Sequence, residues 1–242
     1  MVLNKKLPRK DYAHTFVIRD DPASPVSEAF RTLRTNIKFY GSSDKPIRSI
    51  MISSAIPGEG KSILLANLAL TMAQNGDKVI ICDCDFRRPV INKIFKGNNR
   101  QGLTNVLIGD KKIADILESS DRIHSNLSHI HSGPVPPNPL LGSEKMKTVI
   151  KELKEQADMV LFDSPPIIGF ADGLVLGNQV DGVIIAVEVN RVHREAVKQT
   201  KELLQKAKAK ILGVVLNKVD LKREGHYYNY YYYKYGYQKY YS

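Results

Sequence analysis

An α/β fold with a mostly parallel central sheet and helices on both faces is predicted by three observations. Near-continuous apolar runs alternate with amphipathic stretches, as strands buried on both faces require. The apolar runs are of strand length and rich in Ile and Val. A glycine-rich loop directly follows the first run and opens a helical segment.

The elements follow in order. Ser24-Pro25 can open a helix over 26–40, with Val26, Phe30, Leu33 and Ile37 on one stripe. Strands are expected at 47–54, 78–83, 128–131, 158–162, 181–189 and 211–217. Helices fall between them at 62–75, 143–156, 172–179 and 192–208, with shorter helical pieces around 102–118. Ligands of such sheets bind at the carboxyl ends of the strands, so the chemistry is sought there.

Composition narrows the classes. With 242 residues, 43% of them hydrophobic, the chain can bury the core of one sizeable domain. No run approaches the length of a membrane span, and the first residues, MVLNKKLPRKDYAH, have no apolar signal core, so the chain itself is expected to be soluble. Cys82 and Cys84 lie two apart in one strand, a geometry that suits neither a structural disulfide nor a four-ligand metal site. They are read as small buried residues in a reducing compartment. The net charge of +11 is concentrated at the ends, with four basic residues against one acidic in each of 1–12 and 222–242. A solvated basic surface comes first in that reading, then an anionic membrane face or a phosphate-rich ligand; no nucleic-acid partner is expected.

The loop AIPGEGKS (55–62) sits between strand and helix as a phosphate-binding loop must. Gly58 and Gly60 let backbone N–H groups turn inward around phosphate oxygens, and Glu59 and Ile63 flank them in the same nucleotide-binding stretch. Lys61 can reach the β and γ phosphates, and the Ser62 hydroxyl can hold Mg²⁺. Ala55 stands where the usual pattern has its first glycine. Two later strands end in acids: Asp83 and Asp85 in VIICDCDFRRP, and Asp163 in MVLFDSPP. Carboxylates gathered near one phosphate loop repel each other unless a cation sits between them, which implies Mg²⁺ together with a nucleotide. The fold class is therefore P-loop NTPase-like.

The residues PGEGKS, DCDFRRP and LFDSPP together resemble the Walker A, A′ and B motifs of the bacterial tyrosine kinases of the BY-kinase type, which act in capsular and exopolysaccharide synthesis. The resemblance runs from about residue 20 to the last residue. Glu28, Arg31 and Arg34 are similar to the family's ExxRxxR oligomerisation motif, and GPVPPNP (133–139) resembles its proline loop. Phe86 replaces a more usual Leu or Met, and the chain after PPNP is about two residues shorter than the family pattern. By this resemblance Asp85 and Asp163 join Ser62 around Mg²⁺, Asp83 accepts the proton of the attacking phenol, and Asn217 lies near the adenine. It also implies a division into an arm over 1–25, a single P-loop kinase domain over 26–221 and a flexible tail over 222–242. The implied partners are further copies of the chain in a ring-like homo-oligomer, other proteins carrying substrate tyrosines, and a membrane adaptor that recruits the cytoplasmic kinase to the inner face of the membrane.

The tail accounts for ten of the chain's twelve tyrosines: Tyr227, Tyr228, Tyr230, Tyr231, Tyr232, Tyr233, Tyr235, Tyr237, Tyr240 and Tyr241. Its aromatics follow neither strand nor helix period, and from 226 to 241 it has no aliphatic residue to offset the entropy of ordering. It is read as the phosphoacceptor, modified in trans by a neighbouring subunit. Ten phosphotyrosines would add about −15 to −20 charges and reverse the sign of the chain, a basis for assembly that responds to modification.

Other readings make different demands. A partition- or septum-placing ATPase typically carries a lysine five residues before Lys61, where this chain has Ile56. A GTPase reading rests on Asn217-Lys218-Val219-Asp220 alone, and a non-catalytic binding module on the tyrosine tail alone. His124, His129 and His131 have no spacing that demands a metal and are read as surface or core histidines. Arg191 and Arg194 could face the nucleotide or begin a basic helix, and the helix face is preferred.

Overall fold

The computed structural model describes residues 15–41, 45–135 and 140–220. In chain order the elements are α1 (Val17–Asp20), α2 (Pro25–Tyr40), β1 (Ser49–Ser54), α3 (Lys61–Ala73), β2 (Val79–Asp83), α4 (Ile91–Ile94), α5 (Leu103–Leu107) and α6 (Ile113–Ile116). They continue with β3 (Glu118–Ser119), β4 (Leu127–Ile130), α7 (Glu144–Gln156), β5 (Met159–Asp163), α8 (Asp172–Gln179), β6 (Gly182–Glu188), α9 (Arg194–Lys206) and β7 (Ile211–Asn217).

The six expected strands form one sheet in the order β4-β2-β5-β1-β6-β7, with all of these neighbours parallel. The seventh strand, β3, pairs antiparallel on the outer edge of β4. At two exposed residues it is too short to show a period of two, which is why no sequence pattern announced it.

Strand alternation sorts the core into two layers. Met51, Ile80, Cys82, Val160 and Phe162 face one side, where they meet Val149, Ile150 and Leu153 of α7 and Leu176 of α8. Ile50, Ile52, Ile81 and Leu161 face the other, against Leu65, Leu68 and Ala69 of α3. Helix α3 is buried along almost its whole length, because α2 covers the face turned away from the sheet. Ser24 caps α2 by accepting from the Ser27 N–H at 3.2 Å, with Pro25 in the first turn, as the sequence foretold. Along the predicted stripe of α2, Ile37 is buried and Phe30 and Leu33 pack against the core, while Val26 stays exposed.

The N-terminal arm already belongs to the core from Thr15 onward. Phe16 and Ile18 are buried against the α3 layer, and Asn67 of α3 donates to the Thr15 carbonyl at 2.7 Å. Cys82 and Cys84 are free, buried thiols. Among the described residues no helix is long and apolar enough to cross a membrane. The tyrosine tail and residues 136–139 of the proline stretch lie outside the described residues.

Asp181, at the entry of β6, ties the sheet to α7. Its Oδ2 accepts from the N–H groups of Arg48 and Ser49 at 3.0 and 2.9 Å, and Lys154 of α7 donates to its Oδ1 at 2.8 Å. Burial opposes its ionisation, but the Lys154 and backbone hydrogen bonds outweigh burial and hold the carboxyl below its usual range. A depressed folded-state value means that the stabilisation is complete above the unfolded value of about 3.9 and is lost as pH falls through the folded one. Asp181→Asn is expected to cost roughly 1–3 kcal/mol at neutral pH, and urea titrations of the two proteins should converge below about pH 4.

Candidate active site

Strand register sets the centre of the site. Asp83 of β2 pairs directly with Asp163 of β5, and Asp163 pairs with Ile52 of β1, whose chain runs straight into the phosphate-binding loop. The N–H of Cys84 donates to the Asp163 carbonyl at 2.8 Å, so the β2–β5 ladder continues one step beyond the strand and delivers Asp85 to the same edge.

The loop itself is held from behind. Gly58 and Gly60 both adopt φ of +87°, which favours glycine, and at Gly60 an added Cβ would lie 2.3 Å from the Asn217 amide nitrogen. Three successive carbonyls are each claimed by a donor outside the loop. Arg191 donates to Pro57 O at 2.9 Å, Lys218 to Gly58 O at 3.1 Å and Asn217 to Glu59 O at 2.8 Å. Peptide groups anchored through their oxygens keep their N–H groups available on the opposite side, the arrangement that an anion site needs. Glu59 completes the brace from inside: its fully buried carboxylate accepts from the N–H groups of Ile56 at 2.8 Å and Glu188 at 3.0 Å. Arg191 and Lys218 also pair with Glu188 at 2.7 and 2.9 Å, and Arg191 above all holds that carboxyl below its usual range.

These contacts refine the sequence reading. The Glu59 side chain serves the loop's shape, so only its backbone can meet a phosphate. Asn217 is placed against the loop's rear carbonyl. Arg191 precedes α9 and belongs to the phosphate loop, contrary to the helix face preferred for it; Asn190, with φ of +61°, turns the chain there. Lys218, read from the sequence only as part of the Asn217–Asp220 pattern, is a phosphate-loop contact. Its position next to Asn217, at the end of an apolar strand, was the available signal.

In front of the loop lies a cavity of about 260 Å³, lined among others by Gly58, Lys61, Ile63, Asp85, Arg88 and Phe170. Lys61 and Ser62 line it from the first turn of α3, and Lys61 is buried. Ser62 Oγ donates to Asp163 Oδ2 at 2.5 Å, whereas Asp163 Oδ1 is buried without a hydrogen-bond partner among the described residues. Burial pushes the Asp163 carboxyl up to about 6 despite the nearby Lys61. Asp85 is nearly buried and accepts from the Arg88 N–H at 3.0 Å. An orphaned carboxylate oxygen beside a serine hydroxyl and a second carboxylate is a donor set of hard oxygens suited to Mg²⁺. Ser62, Asp85 and Asp163 therefore fit the predicted metal-binding role.

Asp83 occupies a different position from the other acids. It is closed to solvent, with Oδ1 accepting from the Asp85 N–H at 3.0 Å and Oδ2 from the N–H groups of Val90 and Ile91 at 3.2 and 3.1 Å. Burial, and then the neighbouring Asp163, raise its carboxyl well above the usual range. It shapes the 84–91 loop from the rear of the cavity. Arg87 forms the cavity's outer wall, stacking over Phe170 at 4.7 Å and pairing with Asp172 at 3.2 Å.

The residues expected to act in assembly lie elsewhere, on α2. Glu28 and Arg31 pair with each other at 2.9 Å, Arg31 also donates to Pro22 O at 2.6 Å, and Arg34 donates to Thr71 O near the end of α3 at 3.4 Å. Within one chain, then, each has a partner.

Comparison with known proteins finds relatives that span most of the chain. A family described as an AAA domain matches residues 47–217. The tyrosine-protein kinase YwqD of Bacillus subtilis (strain 168) is 41% identical over 209 residues, covering 86% of this chain and 87% of that protein. The putative tyrosine-protein kinase CapB of Staphylococcus aureus is 37% identical over 225 residues, covering 92% and 97%. The crystal structure of the chimerical protein CapA2B2 superposes with a TM-score of 0.79 at 36% identity, covering 85% of this chain and 90% of that one.

If the brace behind the loop sets its shape, Glu59→Ala should orphan two buried N–H groups at roughly 1–3 kcal/mol each. Fluorescent-nucleotide titration should show affinity falling by about tenfold or more, the equivalent of ~1.4 kcal/mol, with denaturation tracking the stability loss.

Proposed function

Because the chain belongs to the bacterial tyrosine-protein kinases, we propose that it transfers the terminal phosphoryl group of ATP to the tyrosines of the 222–242 tail on neighbouring subunits. The observation that carries this reading is one cavity in front of a phosphate loop lined by Lys61, Ser62 and Asp85, with buried Asp163 accepting from the Ser62 hydroxyl. In the reaction the phenol oxygen forms a bond to the γ phosphorus and the bond to the β–γ bridging oxygen breaks, releasing ADP. Such a transition state is loose, so positioning and charge balance do most of the catalytic work.

The loop N–H groups and Lys61 hold and offset the phosphates, while Ser62, Asp85 and Asp163 would hold Mg²⁺. When bound, that ion supplies positive charge against the phosphate oxygens. Asp83 is the proposed acceptor of the phenol proton, and its raised affinity for a proton supports that role. Its Oδ2 accepts two N–H groups of the 84–91 loop and its Oδ1 only one, which leaves Oδ1 a lone pair for that proton. The exposed wall of Arg87 and Phe170 is where the acceptor would approach.

Assembly is part of the proposal. Glu28 and Arg31 are half-exposed and can exchange their internal pair for bidentate contacts with another copy, forming a ring with the tail unmodified. Phosphorylation of the tail would then drive dissociation by like-charge repulsion. In the cell a membrane adaptor would bring the kinase to the inner face of the membrane, where it would regulate capsular or exopolysaccharide synthesis.

Incubation of the full chain with Mg-ATP and an adaptor's cytoplasmic segment, followed by mass spectrometry, should map phosphotyrosine to the tail. Lys61→Met should abolish it, and deletion of 222–242 should remove the signal while leaving nucleotide affinity intact. Persistent failure of the wild type to label the tail would overturn the reading. For Asp83→Asn, near-full turnover at unchanged nucleotide affinity would remove the base role alone. Light scattering should show an oligomer that dissociates on phosphorylation; a monomer in both states would remove the switch.

A further inference from the structure

The edge strand β3 creates a second cluster of chemistry that the kinase reaction does not use. Glu118 stands directly opposite His129 in the antiparallel β3–β4 pair, and His131, two residues further along the chain, projects to the same face. The Nε2 atoms of His129 and His131 lie 3.5 and 3.4 Å from the two Glu118 carboxylate oxygens, and the three donor groups fall within 4.8 Å of one another. These separations are too long or poorly aligned for hydrogen bonds. Both histidines are almost completely buried, yet His129 Nε2 and both ring nitrogens of His131 have no hydrogen-bond partner among the described residues. Burying polar atoms in this way is costly unless something else completes their coordination.

A shared cation does so for two of the three nitrogens. Two ligands about 2.0–2.1 Å from a tetrahedral ion lie about 3.3–3.4 Å apart, close to the spacing observed between Glu118 and each imidazole. The surroundings orient the ligands as outer partners do in metal sites. Ser120 Oγ lies 2.8 Å from His129 Nδ1, leaving Nε2 to face Glu118, and the Phe95 ring stacks on His129 at 4.3 Å between centroids. At Gly97 any side chain would place its Cβ 2.2 Å from His131 Nε2, so only glycine lets the ring occupy this position. Burial lowers the proton affinity of both rings, against the opposing pull of Glu118 on His131.

We propose that Glu118, His129 and His131 form a zinc site, with the fourth position taken by water at the half-exposed Glu118 edge. Two imidazoles and one carboxylate suit Zn²⁺ and disfavour the hard cations Mg²⁺ and Ca²⁺, which keeps this ion distinct from the one at the phosphate loop. Bound there, zinc would clasp β3 to β4 and so secure the α5–α6 segment that leads into β3. The site stands whether or not the tail is the kinase's substrate.

The test uses the untagged full chain, stripped with chelator, supplied with Mg-ADP and titrated with zinc against a chromophoric competitor. One zinc per chain is expected, together with a zinc-dependent rise in thermal midpoint and visible d–d absorption when Co²⁺ replaces it. Glu118→Gln, a change at a half-exposed edge residue, should weaken zinc binding by at least about tenfold. It should also remove the cobalt spectrum while leaving Mg-ADP affinity unchanged. His131→Asn should abolish binding. The proposal is overturned if the wild type shows no saturable zinc binding at micromolar concentrations, or if Glu118→Gln binds zinc as the wild type does. The second comparison decides the matter even if His131→Asn does not fold.

Discussion

The chemistry of this molecule depends on the parallel register of β5 between β1 and β2. That pairing puts Asp163 beside Asp83 on one side and beside the strand that feeds the phosphate loop on the other. Because main-chain hydrogen bonds set the register, a one-residue slip would turn every side chain of β5 to the opposite face, sending Phe162 out of its core layer and Asp163 away from Ser62. Packing and function therefore enforce the same alignment. The two core layers, sorted by alternation along β1, β2 and β5, resist the slip that would dismantle the site.

A second constraint acts on the loop. A chain turning through Gly58 and Gly60 could satisfy its carbonyls in many ways, most of which would point N–H groups away from a ligand. Arg191, Lys218 and Asn217 remove that freedom by capturing three successive oxygens, while Glu59 captures two N–H groups at the rear. Charge is kept in balance, since Glu188 neutralises much of the Arg191 and Lys218 charge and is itself joined to Glu59 through the backbone. The loop is thus preorganised by residues at the ends of β6 and β7.

The acids in front of the loop carry the opposite economy. Asp83 and Asp163 are buried side by side, and burial raises the proton affinity of both. Asp83 offsets part of this with three backbone N–H groups, whereas Asp163 leaves one oxygen unsatisfied. The strain of like charges is concentrated where a divalent cation would relieve it, which is the behaviour of a binding site and not of a structural core. The His129–His131–Glu118 group shares one feature at the sheet edge, buried polar atoms left unpartnered among the described residues, here on nitrogen.

Much of this was legible in the chain alone, and the reason is locality. The phosphate loop, the two acidic strand ends, the Ser24-Pro25 helix start and six strands are each written in contiguous residues, where period and turn chemistry act. What the tertiary structure decided are contacts between segments far apart in sequence. Arg191 and Lys218 act on the loop only because β6 and β7 end beside β1's exit; read along the chain, each is simply a basic residue after a strand. Phe16 and Ile18 join the core because α3 offers them a face, although the segment around them is polar and short. The two histidines carry no metal-binding spacing of their own. They acquire a third partner when a two-residue strand, too short to have a period, folds back across them and supplies Glu118.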